Sequence, residues 1–384
     1  MRRIALGKVR WTYLSREDIF LFSPLRQEKT HMASIVATAT GFPSHYYSQD
    51  EMIGALRRFW AARHSNLDRL ERLHRHMMVE GRHLALPIEA YPQLSGFGES
   101  NHAWIKVALD LGETTLCALL ERAGIGADDV SQLTFTTVTG IAVPSIDARL
   151  MNRIPFSRHL KRLPVFGLGC LGGVAGVARV ADYLRGHPDE AAILLSIELC
   201  SLTLQPDDVS IANIVSSGLF GDGAAAVLIV GEAHPLAQPG RPRVIDSRSI
   251  FFPDTERVMG WDVGDRGFKV VLSADVPDIA RTRLRPAIET FLADHRLSID
   301  DIDRWIAHPG GPKVAQAIED GLGLSHSALR LSRESLARVG NVSSASVLFI
   351  LHETLAGNQP PVGAHGLMIA MGPAFCAELV LLQW

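Results

Sequence analysis

Hydrophobic and polar positions along this chain follow two periods in turn. Residues 33–40 (ASIVATAT) form a short apolar run of the kind that makes a buried strand. Ser48-Gln-Asp-Glu51 follows with the Ser-to-Glu spacing of a capping box and predicts a helix start. Apolar positions recur at helical spacing over residues 101–123, whereas residues 192–197 are almost continuously apolar, as in a strand covered on both faces. Strands and helices alternate in this way to the C-terminus, so the pattern predicts an α/β protein with buried sheets. Only the first 31 residues stand apart. They mix Arg, Lys, Asp and Glu with apolar residues and contain no signal-peptide core, and residues 1–32 read as a peripheral extension.

The pattern also repeats. Residues 119–140 (LLERAGIGADDVSQLTFTTVTG) and 291–310 (FLADHRLSIDDIDRWIAHPG) both read as a helix end, an acidic turn and an apolar strand. Leu168-Gly-Cys170 opens a helix that closes at Gly186, and Val339-Gly-Asn341 opens one that closes at Gly357. Asp128 lies as far from Asp300 as Cys170 does from Asn341, to within one residue. Residues 220–230 and 371–381 then end the two halves alike, each a turn followed by a strand. Matching pairs in the same order identify a duplicated chain, divided into 33–235 and 236–384, whose sheets stack through helices with no low-complexity linker between them.

Composition narrows the class. A length of 384 residues, 47% apolar and 21% charged, is that of a folded protein, and at ~100–200 residues per domain it accommodates about two. The 38 basic and 41 acidic residues nearly cancel, leaving no global field to attract nucleic acid or an anionic membrane. The uncharged stretch over residues 354–377 is broken by Pro360, Pro361 and Pro373, so it cannot span a bilayer as a helix. Four cysteines without CxxC spacing point to a reducing cytoplasm, with neither disulfides nor a zinc site.

Cys170 lies in residues 166–173 (FGLGCLGG), a strand end followed by small residues and a helix. A thiol at a helix N-terminus faces the positive end of the dipole, which lowers its pKa and makes it a nucleophile; a small core cysteine is the alternative. The same stretch holds Gly167-x-Gly169-x-x-Gly172, a dinucleotide fingerprint, with Glu198 at about the distance of a ribose-binding acid. That fingerprint belongs at the first strand-helix unit of a Rossmann domain, not after about 130 structured residues. His308 stands at the carboxyl end of the strand Trp305-Ile-Ala307, where α/β sheets bind ligands. Asn341, in residues 338–346 (RVGNVSSAS), is the repeat-mate of the cysteine loop. Singly, His308 could be structural and Asn341 an N-cap. Together with Cys170 they form a nucleophile, an imidazole and an amide donor, a set suited to acyl transfer through an oxyanion.

Gly169-Cys170, residues 219–224 (LFGDGA), 307–312 (AHPGGP) and 340–345 (GNVSSA), and Met371-Gly-Pro373 resemble, in order, the motifs of the type III polyketide synthases, the chalcone-synthase-like enzymes. The resemblance runs from about Ser34 to the C-terminus. It implies the thiolase fold, five layers αβαβα from two pseudo-symmetric halves, acting as a homodimer on acyl-CoA and malonyl-CoA without further cofactor or metal. By the same resemblance Cys170 carries the acyl chain, and His308 and Asn341 decarboxylate malonyl-CoA and hold the enolate and thioester oxygens. Phe220 is the gatekeeper between CoA tunnel and cavity, while Arg69 and Arg72 bind the CoA phosphates. Cys200, Thr203 and Ser343 line the cavity, and Val143 reaches into the neighbouring subunit's cavity. Val270 stands where plant enzymes have a second gatekeeper Phe, leaving more room, and residues 370–374 (AMGPA) replace their GFGPG. Residues 198–201 (ELCS) and 259–261 (MGW) resemble the bacterial branch that extends fatty acyl starters into alkylpyrones or alkylresorcinols. Two rival readings are a ketoacyl-carrier-protein synthase of the third type, whose His motif continues Gln-Ala-Asn, and an inactive thiolase-fold binding subunit.

Overall fold

The computed structural model describes residues 32–61 and 66–384, so the extension expected over residues 1–32 lies outside the described residues apart from Met32. From the N-terminus the elements are β1 (Ala33–Gly41), β2 (His45–Ser48), α1 (Gln49–Trp60), α2 (Leu67–Arg75), β3 (Gly81–Leu84) and α3 (Phe97–Ala123). There follow β4 (Val130–Thr137), α4 (Ile146–Leu150), β5 (Lys161–Phe166), α5 (Gly172–Arg185), β6 (Ala191–Leu199), α6 (Ile211–Leu219) and β7 (Asp222–Val230). The remainder comprises β8 (Arg243–Phe251), β9 (Met259–Gly264), β10 (Gly267–Leu272), α7 (Val276–Asp294), β11 (Ile302–Ala307) and α8 (Pro312–Leu322). It closes with α9 (Arg330–Val339), α10 (Ser343–Gly357), β12 (His365–Gly372) and β13 (Cys376–Gln383).

Local signals account for several boundaries. The Ser48 hydroxyl accepts the Glu51 N–H while the Glu51 carboxylate accepts the Ser48 N–H at 2.7 Å, so the capping box starts α1 as predicted. Helix α3 begins at Phe97, one turn before the apolar periodicity, and ends on Gly124 at φ +70°, a left-handed cap that favours glycine.

Nine strands form one sheet in the order β11-β12-β13-β8-β1-β7-β6-β4-β5. The duplication is visible in its pairing: β4 runs parallel to β6, then β7 and β1 follow antiparallel, and β11, β12, β13 and β8 repeat that sequence. The sequence predicts a sheet for each half; in the structure the two are joined through a short antiparallel contact, Ala33 opposite Val244 and Ser34 opposite Arg243.

Alternation along the strands separates three cores. In β6, Ile193, Leu195 and Ile197 pack toward α3, whereas Ala192 and Leu194 pack toward α5. In β12, Met368 and Ala370 face the same central layer, and Leu367 and Ile369 face α7 and α8. Both central helices, α5 and α10, are covered by a sheet on either side, so α10 is apolar almost all round. The result is five layers, αβαβα. Glycine sets the spacing at the centre: a Cβ on Gly173 would lie 2.2 Å from the Ser344 carbonyl oxygen. The starts of α5 and α10 therefore meet closely, and that meeting point holds the predicted nucleophile loop. Among the described residues no helix is long and apolar enough to cross a membrane.

Candidate active site

Cys170 occupies the tight turn Gly169–Leu171 directly before α5, and Asn341 lies two residues before α10, so the duplication sets them at equivalent helix starts. Ser343 links them. Its hydroxyl donates to Cys170 Sγ at 3.6 Å and its backbone N–H donates to Asn341 Oδ1 at 2.8 Å. Ser343 does so at φ +45°, a left-handed conformation that non-glycine residues rarely adopt and that costs of order 1–3 kcal/mol. With Oδ1 occupied, the Asn341 amide presents Nδ2 on its other side, where a long contact of 3.4 Å reaches the Gly310 carbonyl. His308 precedes that glycine at the end of β11, its backbone N–H held by the Ile369 carbonyl at 2.8 Å. Cys170, Ser343, Asn341 and the His308–Gly310 turn thus share one corner.

The corner is dry. His308 is buried with both ring nitrogens lacking a partner among the described residues, and burial pushes its pKa down to about 4. Burial pushes the Cys170 thiol up to about 12, outweighing the Ser343 hydroxyl, and the Glu198 carboxylate adds to the rise. The direction is opposite to the lowering expected from the helix N-terminus, and burial of the sulfur is the largest cause. Burial thus favours the neutral form of both the Cys170 thiol and the His308 imidazole.

Glu198, a candidate ribose-binding acid under the dinucleotide reading, has another use. Its carboxylate is fully buried and accepts the Val138 N–H at 3.0 Å and the Thr139 hydroxyl at 2.9 Å on one oxygen, and the Ser344 hydroxyl on the other. It brackets β4 to the start of α10. A Cβ on Gly172 of the fingerprint would lie 2.7 Å from Thr136 Oγ1, so this glycine serves helix packing and leaves no approach for a pyrophosphate.

Cys200, Thr203, Phe220 and Val270 border a single apolar cavity whose far wall is built by α1 through Met52, Leu56 and Phe59. The Thr203 hydroxyl is spent on the Cys200 carbonyl at 2.8 Å, so it offers the cavity mainly its methyl. Ser343 lies beside Cys170 and does not border this cavity. Val270 is paired across the β9–β10 hairpin with Trp261, which also borders the cavity, so the room left by the smaller side chain is shared with an indole. Val143 is 91% exposed on the loop after β4 and takes no part in this chain's own cavity. Arg69 and Arg72 are exposed on α2, with no side-chain partner among the described residues.

Sequence reasoning missed a second buried network. Asp222, whose carboxyl is pushed up to about 7 by burial, accepts the Ala85 N–H at 2.6 Å and the Ser201 N–H at 2.8 Å, and Ser201 in turn meets Tyr91. Asp222 was legible within the FGDG motif, but Arg82, buried on β3, whose charge partly offsets the rise at Asp222 without bonding to it, carried no sequence signal. Among the described residues no cluster of His, Cys, Asp or Glu could hold a metal ion.

Comparison with known proteins agrees with this geometry. The family model for chalcone and stilbene synthases, N-terminal domain, matches residues 23–235, and that for the C-terminal domain matches residues 244–384. The chain is 48% identical over 351 residues to 1,3,6,8-tetrahydroxynaphthalene synthase of Streptomyces peucetius subsp. caesius, covering 91% of this chain and 93% of the other. It is 36% identical to a putative chalcone synthase of Bacillus subtilis (strain 168), covering 92% and 99%. The crystal structure of 1,3,6,8-tetrahydroxynaphthalene synthase from Streptomyces coelicolor A3(2), described as a bacterial type III polyketide synthase, superposes with a TM-score of 0.86 at 29% identity, covering 91% of this chain and 99% of that one. With both halves matched and the thiolase architecture in place, the chain belongs to the chalcone and stilbene synthase family: it is a type III polyketide synthase, an acyltransferase that condenses malonyl-CoA.

Proposed function

We propose that Cys170 carries the growing acyl chain and that the starter is a long fatty acyl group lodged in the apolar cavity beyond Phe220. In loading, the Cys170 sulfur attacks the acyl-CoA carbonyl, and His308 takes the thiol proton and passes it to the departing CoA sulfur. Malonyl-CoA then loses CO2 with its thioester oxygen held by His308 and the Asn341 Nδ2, and the resulting enolate attacks the Cys170 thioester. The chain leaves the sulfur two carbons longer, as a CoA thioester, and the cycle repeats before ring closure to an alkylpyrone or alkylresorcinol. Preorganised donors of this kind supply the largest share of such acceleration.

One observation carries the starter reading: the cavity is walled by Met52, Leu56, Phe59, Leu84, Ile88 and Leu204, with little polar surface for a short hydrophilic starter. Burying methylenes contributes about 0.8 kcal/mol each, so such a wall favours long chains. A second reading has support of its own, since the 48% identity to a tetrahydroxynaphthalene synthase favours malonyl-CoA as starter as well as extender. Incubation with malonyl-CoA alone and with a series of acyl-CoAs, read by mass spectrometry, separates them. Alkylated products from long starters support the first reading; an unalkylated pentaketide naphthalene as main product under both conditions refutes it.

The unpaired edge strand β5 and the exposed Ile141, Val143, Leu163 and Phe166 form an apolar margin that supports homodimerisation there, with Val143 entering the partner's cavity. The exposed Arg69 and Arg72 suit the CoA phosphates. All four cysteines are free, in keeping with a cytoplasmic enzyme.

A further inference from the structure

Arg82 is fully buried, yet among the described residues it forms no ion pair. A charge so placed must be held by hydrogen bonds, and its bonds converge on one object, the C-terminus of α6. Nη1 donates to the Ser217 carbonyl at 3.0 Å and to the Phe220 carbonyl at 3.1 Å; Nη2 donates to the Gly218 carbonyl at 2.7 Å and to Gln49 Oε1. The Gln49 amide adds a second bond to the Gly218 carbonyl at 3.1 Å. The last carbonyls of a helix have no partners within it and carry its negative end, so a guanidinium seated there answers both needs. Burial draws the Arg82 pKa down only to about 10, so the group stays charged at neutral pH.

What this helix end holds is the reason it matters. The next residue is Phe220, at the cavity, and its backbone is bridged to Asn341: the Gly221 N–H donates to the Asn341 carbonyl at 3.0 Å, and the Asn341 N–H donates to the Leu219 carbonyl at 2.9 Å. Glycine makes the junction this tight. A Cβ on Gly221 would lie 2.4 Å from the Val339 carbonyl oxygen and 3.2 Å from the Arg82 Cβ, and one on Gly218 would lie 2.4 Å from the His74 ring. Arg82, the end of α6, Phe220 and Asn341 are therefore fastened in series by short backbone bonds.

We propose that Arg82 is a positioning residue that, through the end of α6, sets the placement of the Asn341 amide and of the Phe220 gate together. The proposal rests on the reading of Asn341 as the donor to the malonyl thioester oxygen. Arginine is suited to the task because its planar fork serves four acceptors at once; a lysine ammonium on the same stem reaches fewer of them.

Malonyl-CoA decarboxylation tests this, measured per active site as titrated by alkylation of Cys170. Displacements of about 1 Å far from the chemistry can cost about a hundredfold, so Arg82→Met should lose about that much per titrated site and Arg82→Lys about tenfold. A merely structural Arg82 would lower the melting temperature and the fraction of titratable sites while leaving the rate per site unchanged, and that outcome overturns the proposal. Should neither variant fold, Gln49→Leu, which removes one acceptor of the guanidinium, should slow decarboxylation several-fold per site, and an unchanged rate again overturns it. Asn341→Ala in the same assay separates two failures. Parental decarboxylation in Asn341→Ala overturns the reading of Asn341 and this proposal with it; loss in Asn341→Ala with none in Arg82→Lys overturns this proposal alone.

Discussion

Val270→Phe is the substitution that addresses the starter most directly. Val270 borders the cavity, stands opposite Trp261 on the hairpin and is two residues along the strand from the buried Phe268, whose ring lies 6.1 Å from the indole. With the indole across from it and Phe268 filling the same face of the strand, a phenyl ring at 270 has the cavity as its free space. If the ring takes the place of about three methylenes of a bound chain, then at about 0.8 kcal/mol each the loss is about 2.4 kcal/mol, or about sixtyfold in kcat/KM for a chain long enough to pass that point. A short acyl chain that ends before position 270 should be nearly unaffected. The assay is kcat/KM over a graded series of saturated acyl-CoAs with malonyl-CoA, for the parent and the variant, normalised to alkylatable Cys170. The preferred length should fall while the rate with the shortest starters holds. An equal loss across all lengths would mean that the ring disturbs the catalytic corner, and an unchanged preference would mean that the chain does not run past Val270; either result refutes the reasoning.

Cys170→Ala should abolish polyketide formation but retain slow decarboxylation of malonyl-CoA, because His308 and Asn341 remain; product analysis and CO2 release together check it, and chain extension by the variant would refute the nucleophile. Val143→Phe should change the chain length of products, and in mixed dimers with a Cys170→Ala partner only the arrangement that sets the substituted side chain opposite an intact Cys170 should show the change. Stability should depend on pH through His74, which is fully buried, donates from Nε2 to the Ile214 carbonyl at 2.9 Å and has its pKa pushed down to about 4 by burial. A depressed folded-state pKa gives a contribution that is complete above the unfolded value of ~6.5 and is lost as pH falls toward 4, up to about 3 kcal/mol. Asp222, held up at about 7, works in the opposite sense over the same window, so the informative quantity is a difference. Denaturant midpoints of the parent and His74→Gln should converge as pH falls from 6.5 to 4, and parallel curves would refute the assignment.

The layered architecture was legible because burial on both faces writes itself into composition. Residues 192–197 read as a two-sided strand and are one, with alternate side chains entering different cores. The duplicated segments likewise became equivalent strands, β4 and β11, each after an acidic turn. The positions of Cys170, His308 and Asn341 were legible because each follows a strand or opens a helix whose period is local. The joining of the two sheets through β1 and β8 was not, since two residue pairs leave no mark on a pattern.

Sequence by itself determined what depends on neighbours along the chain: the capped start of α1, the two-sided strands, the repeat, and the chemical types at Cys170, His308 and Asn341. Only the tertiary structure decided what depends on distance across it. Burial raises the Cys170 thiol, where the helix start alone predicted a lowering, because several elements close over the sulfur. The space opened by Val270 is shared because β9 brings Trp261 against it. Arg82 looks in sequence like any arginine in a short strand; it acquires its meaning from the carbonyls of α6, more than a hundred residues away, whose last hydrogen bonds it supplies together with Gln49.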